Sequence, residues 1–151
     1  MLVIKDPADF QNYAGKRLGV SEWRTVDQDM INKYADLSGD HQWIHVDVER
    51  AKREAPGGKT IAHGYLVLSI MSLMAPQIWT VEKRSRALNY GLNKLRFTGA
   101  VPSGSRVRLN QGIKAVEPME GGFRTIFDSV VEVEGQEKPA LVAEQVIAYF
   151  N

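Results

Sequence analysis

The chain has 151 residues, enough to bury one substantial core without staples, and its 19 basic against 18 acidic residues give no basic stripe for a nucleic acid. It has no cysteine, which excludes disulfides, thiol nucleophiles, thiolate zinc sites and iron–sulfur clusters. Met1 to Ile4 is followed at once by Lys5 and Asp6, not by a signal-peptide core, and the longest apolar stretch, Tyr65 to Pro76, falls short of the roughly 20 residues of a membrane span.

A cytoplasmic protein with no nucleic-acid or membrane partner is therefore expected. In chain order, Asp6 before Pro7 predicts a capped short helix from Pro7 to Tyr13, ended by Gly15. Leu18 to Thr25 alternates apolar and polar residues, the pattern of a half-buried strand. Thr25-x-x-Gln28 reads as a capping box for a helix carrying Met30, Ile31, Tyr34, Ala35 and Leu37 at helical spacing, and Gly39 is placed to close it. Asp47 predicts the cap of a further short helix reaching Glu54, stopped by Pro56-Gly57-Gly58.

From His63 to about Trp79 nearly every side chain is apolar or small. A helix apolar on all sides is expected to be buried on all sides, and in so short a chain only a sheet curled around it could cover it. The second half offers that sheet as four strand-length runs, 85–97, 105–116, 123–134 and 140–150, separated by turns at 99–104, 118–122 and 135–139. With the N-terminal strand this makes about five, and sequential hairpins predict an antiparallel arrangement. The expected fold is one α+β domain over residues 1–151, a long central helix wrapped by a curved antiparallel sheet.

Two short motifs carry chemistry. Gly39-Asp40-His41-Gln42-Trp43-Ile44-His45 places a carboxylate and an imidazole five residues apart just beyond a helix end. Histidine titrates near neutrality while aspartate is ordinarily ionised there, so the pair can supply a proton donor and an acceptor together. In Ile61-Ala62-His63-Gly64-Tyr65 a glycine opens the apolar helix, where a backbone N–H can meet an anion or a developing oxyanion. Together they point to chemistry on an activated acyl group. His63 is expected to cap or pack at the helix start and His41 to be solvated. Three histidines without ligand spacing argue against a metal.

Tyr34 to His45, with Ser-Gly-Asp and the Asp-x4-His spacing, followed by Ile61-Ala62-His63-Gly64 and, more loosely, Asn93 to Phe97, resembles the MaoC-like, (R)-specific enoyl-CoA hydratases. The resemblance covers most of the chain and implies a hot-dog fold. It also implies that Asp40 and His45 hold a catalytic water, that Gly64 N–H is the oxyanion donor, and that Ser72 supports the histidine. The substrate would be an acyl-CoA or acyl-carrier thioester, with no separate cofactor and no metal, in a homodimer. Gln42-Trp43 stands where that family commonly has Asn-Pro; Gln42 keeps the amide as a supporting group.

Other readings of these residues stay open. Ser72 and Ser69 could instead bond back to the carbonyl four residues earlier. Met71 and Met74 fit either core or an acyl tunnel, and Trp43 either a pocket wall or a loop anchor. Lys59, Arg84, Arg86, Lys94 and Arg96 are candidates for coenzyme A phosphates, Arg96 first. A hot-dog thioesterase and a non-catalytic acyl-thioester-binding subunit are the alternatives to a hydratase.

Overall fold

In the computed structural model, which describes residues 1–83 and 86–150, the chain begins with β1 (Leu2–Ile4), a 3-10 helix (Pro7–Tyr13), β2 (Arg17–Val20) and β3 (Arg24–Val26). Three helices follow, α1 (Gln28–Ser38), α2 (Trp43–Val46) and α3 (Val48–Glu54), then a short 3-10 segment (Pro56–Gly58). The apolar run forms α4 (Gly64–Ser69) and α5 (Met71–Ile78), and the remainder is β4 (Trp79–Val81), β5 (Arg86–Phe97), β6 (Ser105–Met119), β7 (Gly122–Val133) and β8 (Leu141–Phe150).

Local chemistry fixes the helix ends. The Asp6 carboxylate accepts from the Ala8 N–H while Asp9 accepts from the Asp6 N–H, a reciprocal cap for the first turn. The expected Thr25/Gln28 box does not form. Asp27 caps α1 instead, accepting from the Met30 N–H at 2.9 Å, which makes Gln28 the first helical residue and frees its side chain. Gly39, at φ 80°, closes α1 as expected by donating its N–H to the Ala35 carbonyl. Ile31 and Ala35 are buried, whereas Leu37 is 84% exposed and turns away from the core. Asp47 caps α3 through the Arg50 N–H, as predicted.

The sheet runs in the order β2-β6-β7-β8-β5, with β3 paired to β6 beyond β2, and every neighbouring pair in it is antiparallel. The strand expected over Leu18 to Thr25 is split at Ser21, whose N–H donates to the Leu109 carbonyl while its hydroxyl accepts from the Leu109 N–H. The four later strands lie where expected, apart from Ser85, which lies outside the described residues. The connection at 99–104 corrects the hairpin reading. β5 pairs with β8, not with β6, so this segment crosses to the other side of the sheet. β1 and β4 form a separate parallel pair.

The curled sheet buries Leu66, Val67, Ile70, Met71, Met74 and Ile78 of the central helices. Beside them Phe10 packs edge-on against Trp79 and Phe127, and the last two rings stack at 5.0 Å. The expectation that the helix is covered on all sides fails. Tyr65 is 64% and Leu73 51% exposed, and edge strand β5 leaves Leu88, Tyr90, Leu92 and Phe97 exposed as well. No helix among the described residues is long and apolar enough to cross a membrane.

Candidate active site

The end of α1 throws the chain into a tight loop. Asp40 follows the left-handed Gly39, its N–H directed at the Ser38 hydroxyl, and its carboxylate accepts the Gln42 N–H at 3.3 Å. The chain then enters the single-turn α2, in which the His45 N–H donates to the Gln42 carbonyl. Gln42 thus supports both residues through its main chain; its side chain is exposed, correcting the role expected of its amide. Trp43 is an anchor, with the Arg50 guanidinium stacked over its ring at 4.2 Å.

His45 is buried and held from two sides. Its Nδ1 lies 2.7 Å from the Ile61 carbonyl oxygen. A carbonyl can only accept, so Nδ1 carries the proton, and in the neutral ring Nε2 is left with a lone pair. That Nε2 faces Asp40 Oδ2 at 4.0 Å, with the imidazole 8% and the carboxylate 54% exposed. The gap is too long for a direct hydrogen bond, and one water oxygen can bridge it at about 2.8 Å from each atom.

The Ile61 carbonyl is itself strapped in place, since Ile61 N–H donates to the Ile44 carbonyl and Ala62 N–H to the Val101 carbonyl. Gln28 adds a second strap: it donates to the His45 carbonyl at 2.8 Å and accepts from the Thr60 hydroxyl. Sequence reasoning missed both the Ile61 carbonyl and Gln28. A main-chain acceptor leaves no residue signature, and Gln28 was absorbed into a capping box; Asp27, a better cap one residue earlier, was the available signal.

Gly64 is the first residue of α4, so its N–H has no carbonyl a turn earlier in the helix to bond. It lines one cavity of about 280 Å³ with His45, Ile61, Val67, Phe97 and Val101. A Cβ on Gly64 would sit 3.0 Å from three atoms of the Phe97 ring, so glycine is required for the ring to lie this close. Phe97 belongs to the site; in the sequence it stands in a strand and at the end of the loosely resembling segment Asn93 to Phe97, without a role at the site.

Ser72 does not join this group. It lies in an exposed position and lines a different cavity with Asn89, Gln145 and Ile147, while Ile61 supplies the support expected of it. The physical reason is twofold: Ser72 is eight residues on from Gly64, which turns it roughly 80° past two full helical turns, and the helix is broken at Ile70 between α4 and α5. Ser69 donates back to the Tyr65 carbonyl at 2.7 Å, the alternative role weighed for it. Met71 and Met74 are core residues, 2% and 1% exposed.

His41 points outward and pairs with Asp36 at 2.8 Å, and that hydrogen bond raises its pKa. Among the phosphate candidates, Arg96 donates to the neighbouring Leu95 carbonyl and Arg86 stacks on Phe150. Lys59 and Lys94 are exposed, and Arg84 lies outside the described residues.

His63 is nearly buried at 3% exposure and its ring stacks on His45, centroids 3.8 Å apart and planes 23° from parallel. Ligand atoms of Asp40, His45 and His63 lie within 4.8 Å of one another. The stacking fits a metal poorly. In-plane lone pairs of stacked rings run side by side, whereas a bound zinc needs both nitrogens to converge at about 2.0–2.1 Å.

A family model described as the MaoC-like domain matches residues 9–135. The chain is 45% identical over 150 residues to a 3-hydroxyacyl-thioester dehydratase Z of Mycobacterium tuberculosis, covering 99% of each chain. It is 42% identical over 144 residues to nodulation protein N of Rhizobium leguminosarum bv. viciae, covering 92% of this chain and 88% of the other. Among solved structures, an (R)-hydratase from Pseudomonas aeruginosa shares the fold with a TM-score of 0.71 at 18% identity, over 87% of this chain and 79% of that one.

Proposed function

The chain belongs to the MaoC-like dehydratase family, and from that premise we propose that it adds water to a trans-2-enoyl thioester, and removes it again, through Asp40 and His45. The product of hydration is a (3R)-hydroxyacyl thioester, as the names of its relatives favour. The observation that carries this reading is His45 Nε2 facing the Asp40 carboxyl group across 4.0 Å, with Nδ1–H tied to Ile61.

Hydration puts the water oxygen on Cβ and a proton on Cα. One member of the pair takes the proton that the water loses, and the other gives its own proton to Cα. The pair therefore enters the reaction holding one proton and leaves holding one, on the opposite partner. Dehydration runs the same steps backwards. As water adds, charge gathers on the thioester oxygen, where the Gly64 N–H is the donor of this reading; such donors are typically worth about 10²–10³-fold. The thioester is the electron sink, so the chemistry calls for neither metal nor separate cofactor.

A homodimer accompanies this reading. The exposed Tyr65 and Leu73 lie on the central helices and the exposed Leu88, Tyr90 and Leu92 on an edge strand of 12 residues, and long apolar edges of this kind ordinarily find a partner. The chain would act in the cytoplasm on acyl-CoA or acyl-carrier thioesters.

The test is incubation of the purified protein with a short trans-2-enoyl-CoA, followed by mass and chiral analysis. Gain of one water with the thioester intact and the (3R) configuration is the expected result. Release of free coenzyme A would replace hydration by thioester hydrolysis, and no change with short or long acyl chains would leave a binding subunit.

A further inference from the structure

His63 occupies the N-cap position of α4, yet its side chain caps nothing there. Its Nε2 instead lies 2.9 Å from the main-chain carbonyl of Asp40, 23 residues away. Because the carbonyl only accepts, the ring must donate from Nε2, and Nδ1 is then the bare nitrogen. That Nδ1 is buried and has no hydrogen-bond partner among the described residues. An orphaned buried acceptor costs about 1–3 kcal/mol, a penalty that a phenyl ring filling the same space would avoid. Packing alone therefore does not account for a histidine at this position, whereas a need for its Nε2–H donor does.

The remaining contacts show what that nitrogen is placed to do. One side of the ring lies on His45 at 3.8 Å, and Tyr34 of α1 packs against it tilted at 4.9 Å. The residue that follows is Gly64. A single residue thus touches the loop carrying the carboxylate, the ring of the base and the peptide leading into the oxyanion donor. Asp40 itself is half exposed and, among the described residues, otherwise hydrogen-bonded only to its neighbours Ser38 and Gln42.

We infer that His63 is a positioning residue: its Nε2–H tethers the Asp40 main chain and so sets the carboxylate opposite His45 Nε2. This rests on the hydration reading for its kinetic consequences, but not for the tether itself.

Two substitutions separate the functions of the ring. His63→Phe keeps a flat face against His45 and removes the donor, while His63→Gln keeps an amide N–H near the place of Nε2 and removes the face. With a short trans-2-enoyl-CoA, His63→Phe is expected to lower kcat about 10- to 100-fold, the scale of a misplaced catalytic group. KM should stay within about threefold, and His63→Gln should recover most of the loss. In an Asp40→Asn background His63→Phe should cost nothing further, because its effect runs through Asp40. Wild-type kcat in His63→Phe, or losses that multiply in the double variant, would overturn the inference.

Amide hydrogen exchange across residues 39–45 reads the tether without any turnover. Exchange should quicken in His63→Phe and return towards wild type in His63→Gln; unchanged exchange in His63→Phe would overturn the tether even in an active enzyme. Should the wild-type protein fail to turn over any enoyl thioester, only the hydration reading falls, and exchange decides the tether.

Discussion

The outer face of the sheet and the loop-rich region from Asp40 to Gly64 handle polar groups in opposite ways. On the sheet, charges pair from strand to strand: Arg108 of β6 with Glu132 of neighbouring β7, Arg106 of β6 with Glu134 just past β7, and, across one intervening strand, Arg17 of β2 with Asp128 of β7 and Lys114 of β6 with Glu144 of β8. All are partly exposed, so water can stand in for either partner. In the loop region His45 and His63 are buried, and among the described residues each ring makes a single hydrogen bond, from one nitrogen to a main-chain carbonyl. Redundant, wet pairs contribute little stability and no geometry. Single, dry bonds fix geometry, and losing one should be read in rate.

That contrast orders the expected effects of mutation. Asp40→Asn or His45→Ala should lower kcat/KM by about 10²–10⁴-fold, the usual contribution of general acid–base groups. For Asp40→Asn the urea midpoint should barely move, since Asp40 is half exposed, whereas His45→Ala empties a buried position and should lower it. A large loss of stability in Asp40→Asn would make that carboxylate structural and erase the contrast.

Gly64 sharpens it next. Proline is tolerated at the first helical position, and His63, at φ −60° and ψ 138°, already has the conformation that precedes proline. Gly64→Pro therefore deletes the N–H while sparing the helix, and Gly64→Ala adds crowding against Phe97 while keeping it. Kinetics of the two variants side by side should show Gly64→Pro lower by a further 10²–10³-fold or so. Equal losses would assign the defect to Phe97 and not to the donor.

Trp43→Ala removes the ring beneath Arg50 and should cost about 1 kcal/mol by denaturant unfolding, with kcat within a few-fold of wild type. Glu132→Gln, on the sheet, should cost under about 1 kcal/mol and leave kinetics unchanged. Burial pushes the Glu132 carboxyl up, but hydrogen bonds from Arg108 and Asn110 outweigh it and bring the pKa below its ordinary value. A group with a lowered folded pKa stabilises above its unfolded pKa and loses that contribution as pH falls through the folded one. The wild type should thus lose its advantage over Glu132→Gln on acidification below the ordinary carboxylate range. His41, raised by Asp36, runs the other way: its contribution is present below the ordinary histidine pKa and fades as pH rises through the raised one.

The same contrast explains what could be read from sequence. Gly39, Asp47 and the four long strands declare themselves through local chemistry, and so did the spacing of Asp40 and His45. The partner of β5 did not, because an alternating pattern says which residues face inward and not which strand lies alongside. The single turn Trp43–Val46 is too short for periodicity to reveal. Ser72, brought in by the resemblance, falls outside the site because the apolar run breaks at Ile70, a break that no glycine or proline at that residue marks. His63 and Gln28 act through main-chain carbonyls, and a carbonyl has the same identity at every position.

The central claim is that one water is delivered by Asp40 and His45 together. The most direct measurement is the rate of hydration of a short trans-2-enoyl-CoA by the wild type, Asp40→Asn, His45→Ala and the double variant, with exchange and unfolding confirming that all four are folded. Loss of at least about 10²-fold in each single variant, with the double variant little worse than either, is the result expected of two groups acting as a unit. Hydration that survives in Asp40→Asn and His45→Ala would contradict the account.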